Sequence, residues 1–466
     1  MNHGNEEHTN FSLTRFESML KTNSVLFFDA EEFEEIIHHY LENGKIALAK
    51  KATKLGLEQH PSSTNLKLFQ VEMFIFEDKL DVADSLLNEL FLLESSNEEI
   101  LIQKANILSR QDKHLEAIKL LKEALALTDD LSDVLSLIGM ECLFLEDFEN
   151  AKMYFMRCLE LDNDDYSALY NIIYCFDYLD QNTESINYLN DFLNTNPYSE
   201  VAWHQVGKQY YKLEQFKKAL AAYDFAIISD DTFTGAYLEK GKVLEKLKQY
   251  NEAIECYTIT LQLDDPTSFA LLRIGKCHDR LGNNELALQF YLKCIEEDTL
   301  LDKGWIAITD YFFRKKNFQK ALYYIDKAVN IDTENAQYWK IYADINKQLN
   351  LFEEAEYGYR KSIELGNYEQ DTWINRADIL TVLGEFDAAV KNLFQAAEFY
   401  PESAEIEFRL SGLFYTLGEN RKGLFHLKNG FNIDEEYQIV MEEIFPAIYE
   451  KEVIQNFISK YKNASQ

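Results

Sequence analysis

The stretch that decides the fold is residues 200–233, which read EVAWHQVGKQYYKLEQFKKALAAYDFAIISDDTF. Within these 34 residues, large and small side chains occupy fixed places. The landmark residues at positions 4, 8, 11, 20, 24 and 27 are Trp203, Gly207, Tyr210, Ala219, Tyr223 and Ala226. A small residue lets two helix backbones approach closely, and large residues fill the gaps beside the crossing. The stretch therefore predicts a hairpin of two packed helices.

The same landmarks recur every 34 residues in both directions from Glu200, with no insertion. The predicted repeats start at residues 30, 64, 98, 132, 166, 200, 234, 268, 302, 336, 370 and 404. Position 20 of each repeat holds a small residue: Ala49, Ala83, Ala117, Ala151, Ser185, Ala219, Ala253, Ala287, Ala321, Ala355, Ala389 and Gly423. A fixed period of this length is typical of stacked helical units. The sequence thus predicts an all-α chain with twelve helix-turn-helix repeats over residues 30–437.

This pattern resembles the tetratricopeptide-repeat (TPR) family, and the resemblance covers residues 30–437. It implies a right-handed α-α superhelix, or solenoid, in which the first helix of each repeat lines a concave groove. The repeat that starts at residue 166 departs most from the pattern, with Ile173, Ser185 and Phe192 at positions 8, 20 and 27. The larger side chains in this repeat predict a local change in the superhelix.

Both ends of the chain are predicted to cover the exposed ends of the repeat array, because an open end leaves apolar surface in water. Residues 1–29 form the predicted N-terminal capping segment, and residues 438–466 form predicted C-terminal capping helices divided at Pro446. The apolar residues expected to face the repeats are Phe11, Leu13, Phe16 and Leu20 in the first segment and Ile439, Ile444, Val453, Ile454, Phe457, Ile458 and Tyr461 in the second.

The composition argues against several classes of function. With 80 acidic and 46 basic residues the formal net charge is −34, so a nucleic acid or an anionic membrane would be repelled over much of the surface. The sequence shows no apolar run long enough for a signal peptide or a membrane span. Its six cysteines lie within helical patterns and fit a reducing compartment. We therefore expect a cytoplasmic protein that neither binds nucleic acid nor inserts into a membrane.

The sequence contains no motif that predicts catalysis, a metal site or a cofactor. Three Gly-Lys pairs look like fragments of a phosphate-binding loop, but each lacks the upstream glycine and the following serine or threonine. These pairs are Gly207-Lys208, Gly241-Lys242 and Gly275-Lys276. We therefore expect a protein that is not an enzyme.

The groove implied by the resemblance is lined by positions 2, 5, 6, 9, 12 and 13 of each repeat, and its first part is apolar. In the repeats from residue 30 to 199, these positions carry eight acids, including Glu31, Glu34, Glu35 and Glu72, against one base, Arg110. Their apolar residues are Leu68, Phe69, Ile75, Phe76, Ile102, Leu137, Met140, Leu143, Phe144, Tyr170, Tyr174 and Tyr178. Such a surface suits an amphipathic helix or an extended apolar peptide. The alternative is that some of these side chains pack against the adjacent repeat.

The second part of the implied groove is basic. In the repeats from residue 200 to 335, four acids at these positions (Glu239, Glu245, Asp279 and Asp310) oppose nine bases. The bases are Lys208, Lys212, Lys242, Lys246, Arg273, Lys276, Arg280, Lys303 and Arg314. A row of cations in so acidic a chain is expected to attract an acidic peptide. The alternative is an ordinary solvated face.

These patterns favour a scaffold or adaptor that binds a partner protein or peptide, with acidic groups, in its groove. One alternative is a structural subunit of a larger assembly that docks through its acidic convex face, and another is a regulatory array for a separate enzyme. The sequence leaves the partner, the pathway and the oligomeric state open.

Overall fold

The protein is described by a computed structural model that covers residues 3–22, 26–263 and 267–464. Parts of the predicted capping segments, residues 1, 2, 23–25, 465 and 466, lie outside the described residues. Every regular element among the described residues is a helix, so the prediction of an all-α repeat fold is confirmed. No helix in this part of the chain combines the length and the apolar character that crossing a membrane requires.

The structure divides into two compact units, of which the first, unit 1, comprises residues 1–230. Its helices are α1 (His3–Thr22), α2 (Ala30–Glu42), α3 (Ile46–Gln59), α4 (Thr64–Phe76), α5 (Leu80–Leu93), α6 (Glu98–Arg110), α7 (His114–Ala124), α8 (Leu131–Phe144), α9 (Phe148–Leu161), α10 (Tyr166–Tyr178), α11 (Asn182–Thr195), α12 (Glu200–Lys212) and α13 (Phe216–Ser229).

The second compact unit, unit 2, comprises residues 231–466. Its helices are α14 (Thr234–Lys246), α15 (Tyr250–Leu263), α16 (Ser268–Arg280), α17 (Asn284–Glu297), α18 (Asp302–Arg314), α19 (Phe318–Ile331), α20 (Ala336–Gln348), α21 (Phe352–Glu364), α22 (Gln370–Val382), α23 (Phe386–Phe399), α24 (Ala404–Thr416), α25 (Asn420–Ile433), a short 3₁₀ helix (Glu435–Gln438), α26 (Ile439–Ile444), α27 (Pro446–Tyr449) and α28 (Glu452–Ala464).

The even-numbered helices from α2 to α24 are the first helices of successive hairpins. Eleven of them begin at the residue where a repeat is predicted to start, and α8 begins one residue earlier, at Leu131. The hairpin of α10 and α11, in the repeat with the weakest pattern, is the least closely packed of the twelve. The helix bounds therefore follow the 34-residue period of the sequence.

The helices of a hairpin cross where the sequence places its small residues. Ala219 is fully buried, and Gly207 on α12 faces the ring of Tyr223 on α13 so closely that a Cβ atom on Gly207 would lie 2.4 Å from Tyr223 Cε1. The equivalent distances in unit 2 are 2.6 Å for Gly241 against Tyr257 and 2.5 Å for Gly275 against Tyr291. The glycines of the three Gly-Lys pairs are thus places of close helix packing.

Each hairpin turn places one residue in the left-handed backbone conformation. That residue is always at position 15 of the repeat, and in eight turns it is not glycine: Asp78, Asp112, Glu146, Asp180, Glu214, Lys248, Lys316 and Asn350. In the other four turns it is Gly44, Gly282, Gly384 or Gly418. A left-handed residue is a common way to end a helix and frees the chain to reverse direction.

The capping segments bury part of the surface that the sequence assigned to them. In α1, Phe16 is fully buried, with its ring centroid 6.2 Å from that of Phe33 in α2. In the C-terminal segment, Ile454 and Ile458 are buried, and Tyr461 donates a hydrogen bond of 2.8 Å to the Phe431 carbonyl.

The prediction was wrong for three side chains of the caps, because Phe11, Ile439 and Val453 are mostly exposed. They lie on the helix faces that point away from the repeats.

Candidate functional site

An exposed apolar surface lies on α8 and α10, the first helices of consecutive hairpins in unit 1. We call it the aromatic face and define it by Leu137, Met140, Phe144, Tyr170, Tyr174 and Tyr178. Each of these side chains is between 37% and 61% exposed. Large apolar side chains that stay in water as a group are typical of surfaces that bind another molecule.

The rings of Tyr174 and Tyr178 are held in place by Phe148, the first residue of α9. Phe148 stacks on Tyr178 with ring centroids 4.6 Å apart and touches Tyr174 at 6.3 Å. The centroids of Tyr174 and Tyr178 are 4.7 Å apart. A hydrogen bond with Tyr178, together with partial burial, raises the pKa of the Tyr174 hydroxyl. The three rings therefore form one cluster with little freedom to reorient.

The same support occurs one hairpin earlier. His114, the first residue of α7, stacks on Phe144 with centroids 5.1 Å apart, and its Nδ1 lies 2.9 Å from Glu141 Oε2. His114 and Phe148 both occupy position 17 of a repeat, and each stacks on position 13 of the next repeat. Sequence reasoning missed this role, although the aromatic residues that recur at position 17 (Phe148, Phe216, Tyr250, Phe318, Phe352 and Phe386) were a visible signal.

The other predicted apolar residues of unit 1 are dispersed. Phe69 is half-buried against the N-terminal core, with its ring 5.6 Å from His38, whereas Phe76 is exposed at the end of α4. The structure does not support a groove role for Leu68 and Ile75, because both are buried in the core between hairpins. Adjacent-repeat packing explains these two residues.

Three acidic side chains that form no ion pair with a described lysine or arginine lie on α4, α6 and α8. Glu72 on α4 is half-buried, and burial, followed by the nearby charge of Glu99 on α6, raises the pKa of its carboxyl group. Within the described part of unit 1, no lysine or arginine forms an ion pair with Glu72, Glu99 or Asp133. The charge of His38 on α2 acts on the pKa of Glu72 in the opposite direction without cancelling the shift.

Helix α2 adds a second group of acids. Glu31, Glu34, Glu35 and Glu42, with His38 and His39, line a cavity of about 490 Å³. Asn65 on α4 donates a hydrogen bond of 3.1 Å to Glu34 Oε2.

The two predicted lysines of unit 1 differ in their surroundings. Lys212 Nζ lies 2.5 Å from Asp177 Oδ1, and Gln209 Nε2 donates to the same oxygen at 2.9 Å. Lys208 is half-buried and has no ion-pair partner among the described residues. Asp177 thus neutralises Lys212 and not Lys208.

Three of the predicted cations in unit 2 are engaged by carboxylates of their own face. Lys242 Nζ lies 2.6 Å from Glu239 Oε1, Arg273 Nε lies 2.7 Å from Glu245 Oε1, and a terminal nitrogen of Arg314 lies 2.7 Å from Asp279 Oδ1. The Glu245 carboxylate also accepts a hydrogen bond of 2.6 Å from Tyr257, which sequence reasoning missed. The predicted row of open cations is therefore partly neutralised.

The other four predicted cations of unit 2 lack an ion pair within the described residues. Lys246, Lys276, Arg280 and Lys303 form no ion pair with any described residue, and we call them the basic cluster. Glu245, at position 12 of the preceding repeat, is already bound by Arg273 and Tyr257. The cluster lies on α14, α16 and α18, the first helices of three consecutive hairpins.

Lys276 is the most constrained member of the basic cluster. It is half-buried, and burial, followed by the charge of Arg273 on its own helix and then that of Lys303 on α18, lowers the pKa of its ammonium group. Glu245 on α14 and Asp310 on α18 act in the opposite direction without cancelling the shift, and the buried Cys294 thiol on α17 lies nearby. Burial is therefore the main cause of the lowered pKa, and the neighbouring cations add to it.

Three segments of the chain match the model of a known repeat family. The family model described as "Tetratricopeptide repeat" matches residues 132–165, 234–259 and 270–299. No curated protein matches the chain.

Solved structures resemble the chain at low identity. A chain in the crystal structure of the APC/C hetero-tetramer Cut9-Hcn1 is 14% identical in sequence. The match covers 88% of this chain and 94% of that chain, with a TM-score of 0.38. The C-terminal part of a TPR repeat-containing protein from Cytophaga hutchinsonii is 17% identical over 51% of this chain and 98% of its own, with a TM-score of 0.44. PilF of Pseudomonas aeruginosa is 19% identical over 44% and 93%, with a TM-score of 0.38. With TM-scores below 0.5, these likenesses carry no information on the partners of this chain.

Proposed function

We propose that this chain, three segments of which match the tetratricopeptide-repeat model, is a protein-interaction scaffold whose unit 2 binds an acidic segment of a partner protein at the basic cluster. The observation that carries the proposal is Lys276, a half-buried cation with a lowered pKa and no carboxylate within ion-pair distance in the described structure. A carboxylate from a partner supplies the missing counter-charge.

The electrostatic gain is concentrated where the protein has not already paired its charges. Lys242, Arg273 and Arg314 are bound by Glu239, Glu245 and Asp279, so a ligand would have to displace a carboxylate to reach them. The basic cluster requires no such exchange. Two unit charges 4 Å apart attract by about 1 kcal/mol in water and by about 4 kcal/mol near a protein surface of lower effective dielectric. A half-buried lysine belongs toward the upper part of that range.

The mode of recognition is charge complementarity in an otherwise acidic protein. The chain carries a net charge of −34, so a general acidic ligand is repelled everywhere except where cations prevail locally. The partner segment is therefore expected to be short and rich in Asp or Glu. Its affinity is expected to fall with salt, because solvent ions screen exposed charges within about 10 Å at 0.1 M ionic strength.

The test measures binding of fluorescein-labelled octaglutamate to the full chain by fluorescence anisotropy. Lys276→Gln is expected to weaken binding about tenfold, the equivalent of about 1.4 kcal/mol. The matched control is Lys293→Gln on α17, which removes the same charge from an exposed side chain outside the cluster. The control is expected to change the affinity less than about twofold.

A third variant separates open cations from paired ones. Lys242→Gln removes a lysine that Glu239 already holds, so a smaller loss than that of Lys276→Gln is expected. Equal effects of the Lys276 and Lys293 substitutions, or no measurable binding of octaglutamate at 50 mM salt, would refute the proposed acidic-segment site.

A further inference from the structure

We propose that the aromatic face of unit 1 is a second docking site, which takes an amphipathic helix of a partner protein with an apolar side and Lys or Arg residues along its edge. The proposal goes beyond the acidic-segment site of unit 2, because it rests on other residues and on the opposite ligand charge. Four observations carry it: exposed rings, their rigid support, their spacing and the charge beside them.

The aromatic face is costly to leave in water. Phe144 and Tyr178 are each about 60% exposed, although Phe148 and His114 pack against one side of them. Burying one such side chain fully is favourable by about 1.5–3 kcal/mol relative to exposure. A ligand that covers the six residues of this face therefore gains most of its affinity from apolar burial.

The supported rings lower the cost of binding. Phe148 holds Tyr178 and Tyr174 from α9, and the ring centroids of the two tyrosines lie 4.7 Å apart. Rings that are already fixed lose little side-chain freedom when a ligand arrives, whereas each mobile side chain costs about 0.5–1.5 kcal/mol to immobilise. The surface is thus prepared for a ligand of complementary shape.

The spacing of the tyrosines favours a helical ligand. Tyr170, Tyr174 and Tyr178 lie four residues apart on α10, so they form a row with steps of about 6 Å. The side chains of a second helix at i, i+4 and i+8 repeat at the same distance, so ridges and grooves interlock along the row. Side chains on one face of an extended strand repeat at about 6.6–6.8 Å and drift out of step.

The chemistry of the face also disfavours an extended ligand. Its side chains are aliphatic or aromatic, and the tyrosine hydroxyls are the polar groups it offers. An extended segment brings unpaired backbone N–H and C=O groups that must find partners, whereas a helix has already satisfied its own. An amphipathic helix can therefore cover this face without leaving its backbone N–H and C=O groups unpaired.

Charge complementarity selects the edge of that helix. Toward the N-terminal hairpins, Glu72, Glu99 and Asp133 form no ion pair with a lysine or arginine of the described residues. Glu72 lies close enough to Glu99 for their charges to repel, and the charge of His38 offsets only part of this effect. Toward α12, Lys212 neutralises Asp177. Lys or Arg residues are therefore expected on the edge of the ligand that faces α4, α6 and α8.

The experiment uses three synthetic peptides of 18 residues with the full-length protein. The first peptide places Leu on one face of a helix and Lys on the edges, and the second replaces every Lys with Glu. The third is the first peptide with two central residues replaced by proline. By fluorescence anisotropy, the Leu/Lys peptide is expected to bind at least about tenfold more tightly than either of the others. Equal affinity of the Leu/Glu peptide overturns the charge argument, and equal affinity of the proline peptide overturns the helical ligand.

Variants locate the site. The double variant Phe144→Ala, Tyr170→Ala is expected to bind the Leu/Lys peptide at least about tenfold more weakly. A loss of this size is found when central interface residues are replaced. The matched control is Tyr198→Ala, which removes a 79% exposed ring of unit 1 outside the aromatic face. Equal losses in both variants would show nonspecific adhesion and overturn the proposal.

A milder variant guards against loss of folding. The double variant Glu72→Gln, Glu99→Gln keeps the shapes of both side chains. It is expected to bind the Leu/Lys peptide several-fold more weakly, and its affinity is expected to depend less on salt. An unchanged affinity and salt dependence overturn the proposal. Lys276→Gln is expected to change the affinity for the Leu/Lys peptide by less than about twofold. Failure of the helix-docking proposal is therefore distinguishable from failure of the acidic-segment site.

Discussion

The close approach of Gly207 and Tyr223 allows a direct test of the packing that defines each hairpin. In Gly207→Ala, the new Cβ would lie 2.4 Å from Tyr223 Cε1, about 1 Å inside ordinary contact distance. The Tyr223 ring is fully buried and cannot swing into solvent. Overpacking of this kind costs about 1–3 kcal/mol, and the better helix propensity of alanine returns up to about 1 kcal/mol.

We therefore expect Gly207→Ala to lower the free energy of unfolding by up to about 2 kcal/mol, measured by urea denaturation with circular dichroism. The control is Gly235→Ala, where the nearest atom would be the end of the Phe233 ring at 3.3 Å, so little change or a small gain is expected. Replacing Tyr223 with Leu makes room, and Gly207→Ala should then cost less in the double variant than alone. Equal costs in both backgrounds would show that the close contact does not limit the hairpin.

Three further predictions concern the turn, the ring cluster and the basic cluster. Glu146→Gly is expected to raise the free energy of unfolding by about 0.5–1 kcal/mol in urea denaturation, because glycine removes the strain of a left-handed residue; a loss of stability would contradict this. Phe148→Leu should lower the unfolding free energy by about 1 kcal/mol and weaken the Leu/Lys peptide, since two ring contacts disappear; unchanged values for both would count against the support of the tyrosines. Because the pKa of Lys276 is lowered, octaglutamate affinity in anisotropy titrations should fall as the pH rises through that lowered value, before an ordinary lysine titrates; the same curve for Lys276→Gln would exclude Lys276 as the cause.

The repeats were readable from the sequence because their packing is local. A small residue such as Ala219 and a ring such as Tyr223 meet across one hairpin, so their spacing within 34 residues records the contact directly. The left-handed turns were not predicted from the sequence. Residues such as Glu146 and Lys316 rarely adopt that conformation, whereas a glycine would have indicated it.

The charges were less predictable, because pairing depends on distances between repeats. The sequence identified the cations of unit 2 but could not tell that Glu245 binds Arg273, or that Arg280 forms no ion pair among the described residues. In hindsight one regularity is visible: an acid at position 12, such as Asp279, pairs with a cation of the following repeat, such as Arg314. Burial of Lys276 and the support from Phe148 required the packed structure.

The protonation of Lys276 tests the central claim most directly. Its pKa in the full chain can be followed by NMR of lysine side chains labelled with ¹³C and ¹⁵N, with assignment from the Lys276→Gln spectrum. Saturating octaglutamate is expected to raise this pKa from its lowered value, because a nearby carboxylate stabilises the charged ammonium group. An unchanged pKa at full occupancy would contradict the account, since it would show that acidic ligands bind without meeting the unpaired cation.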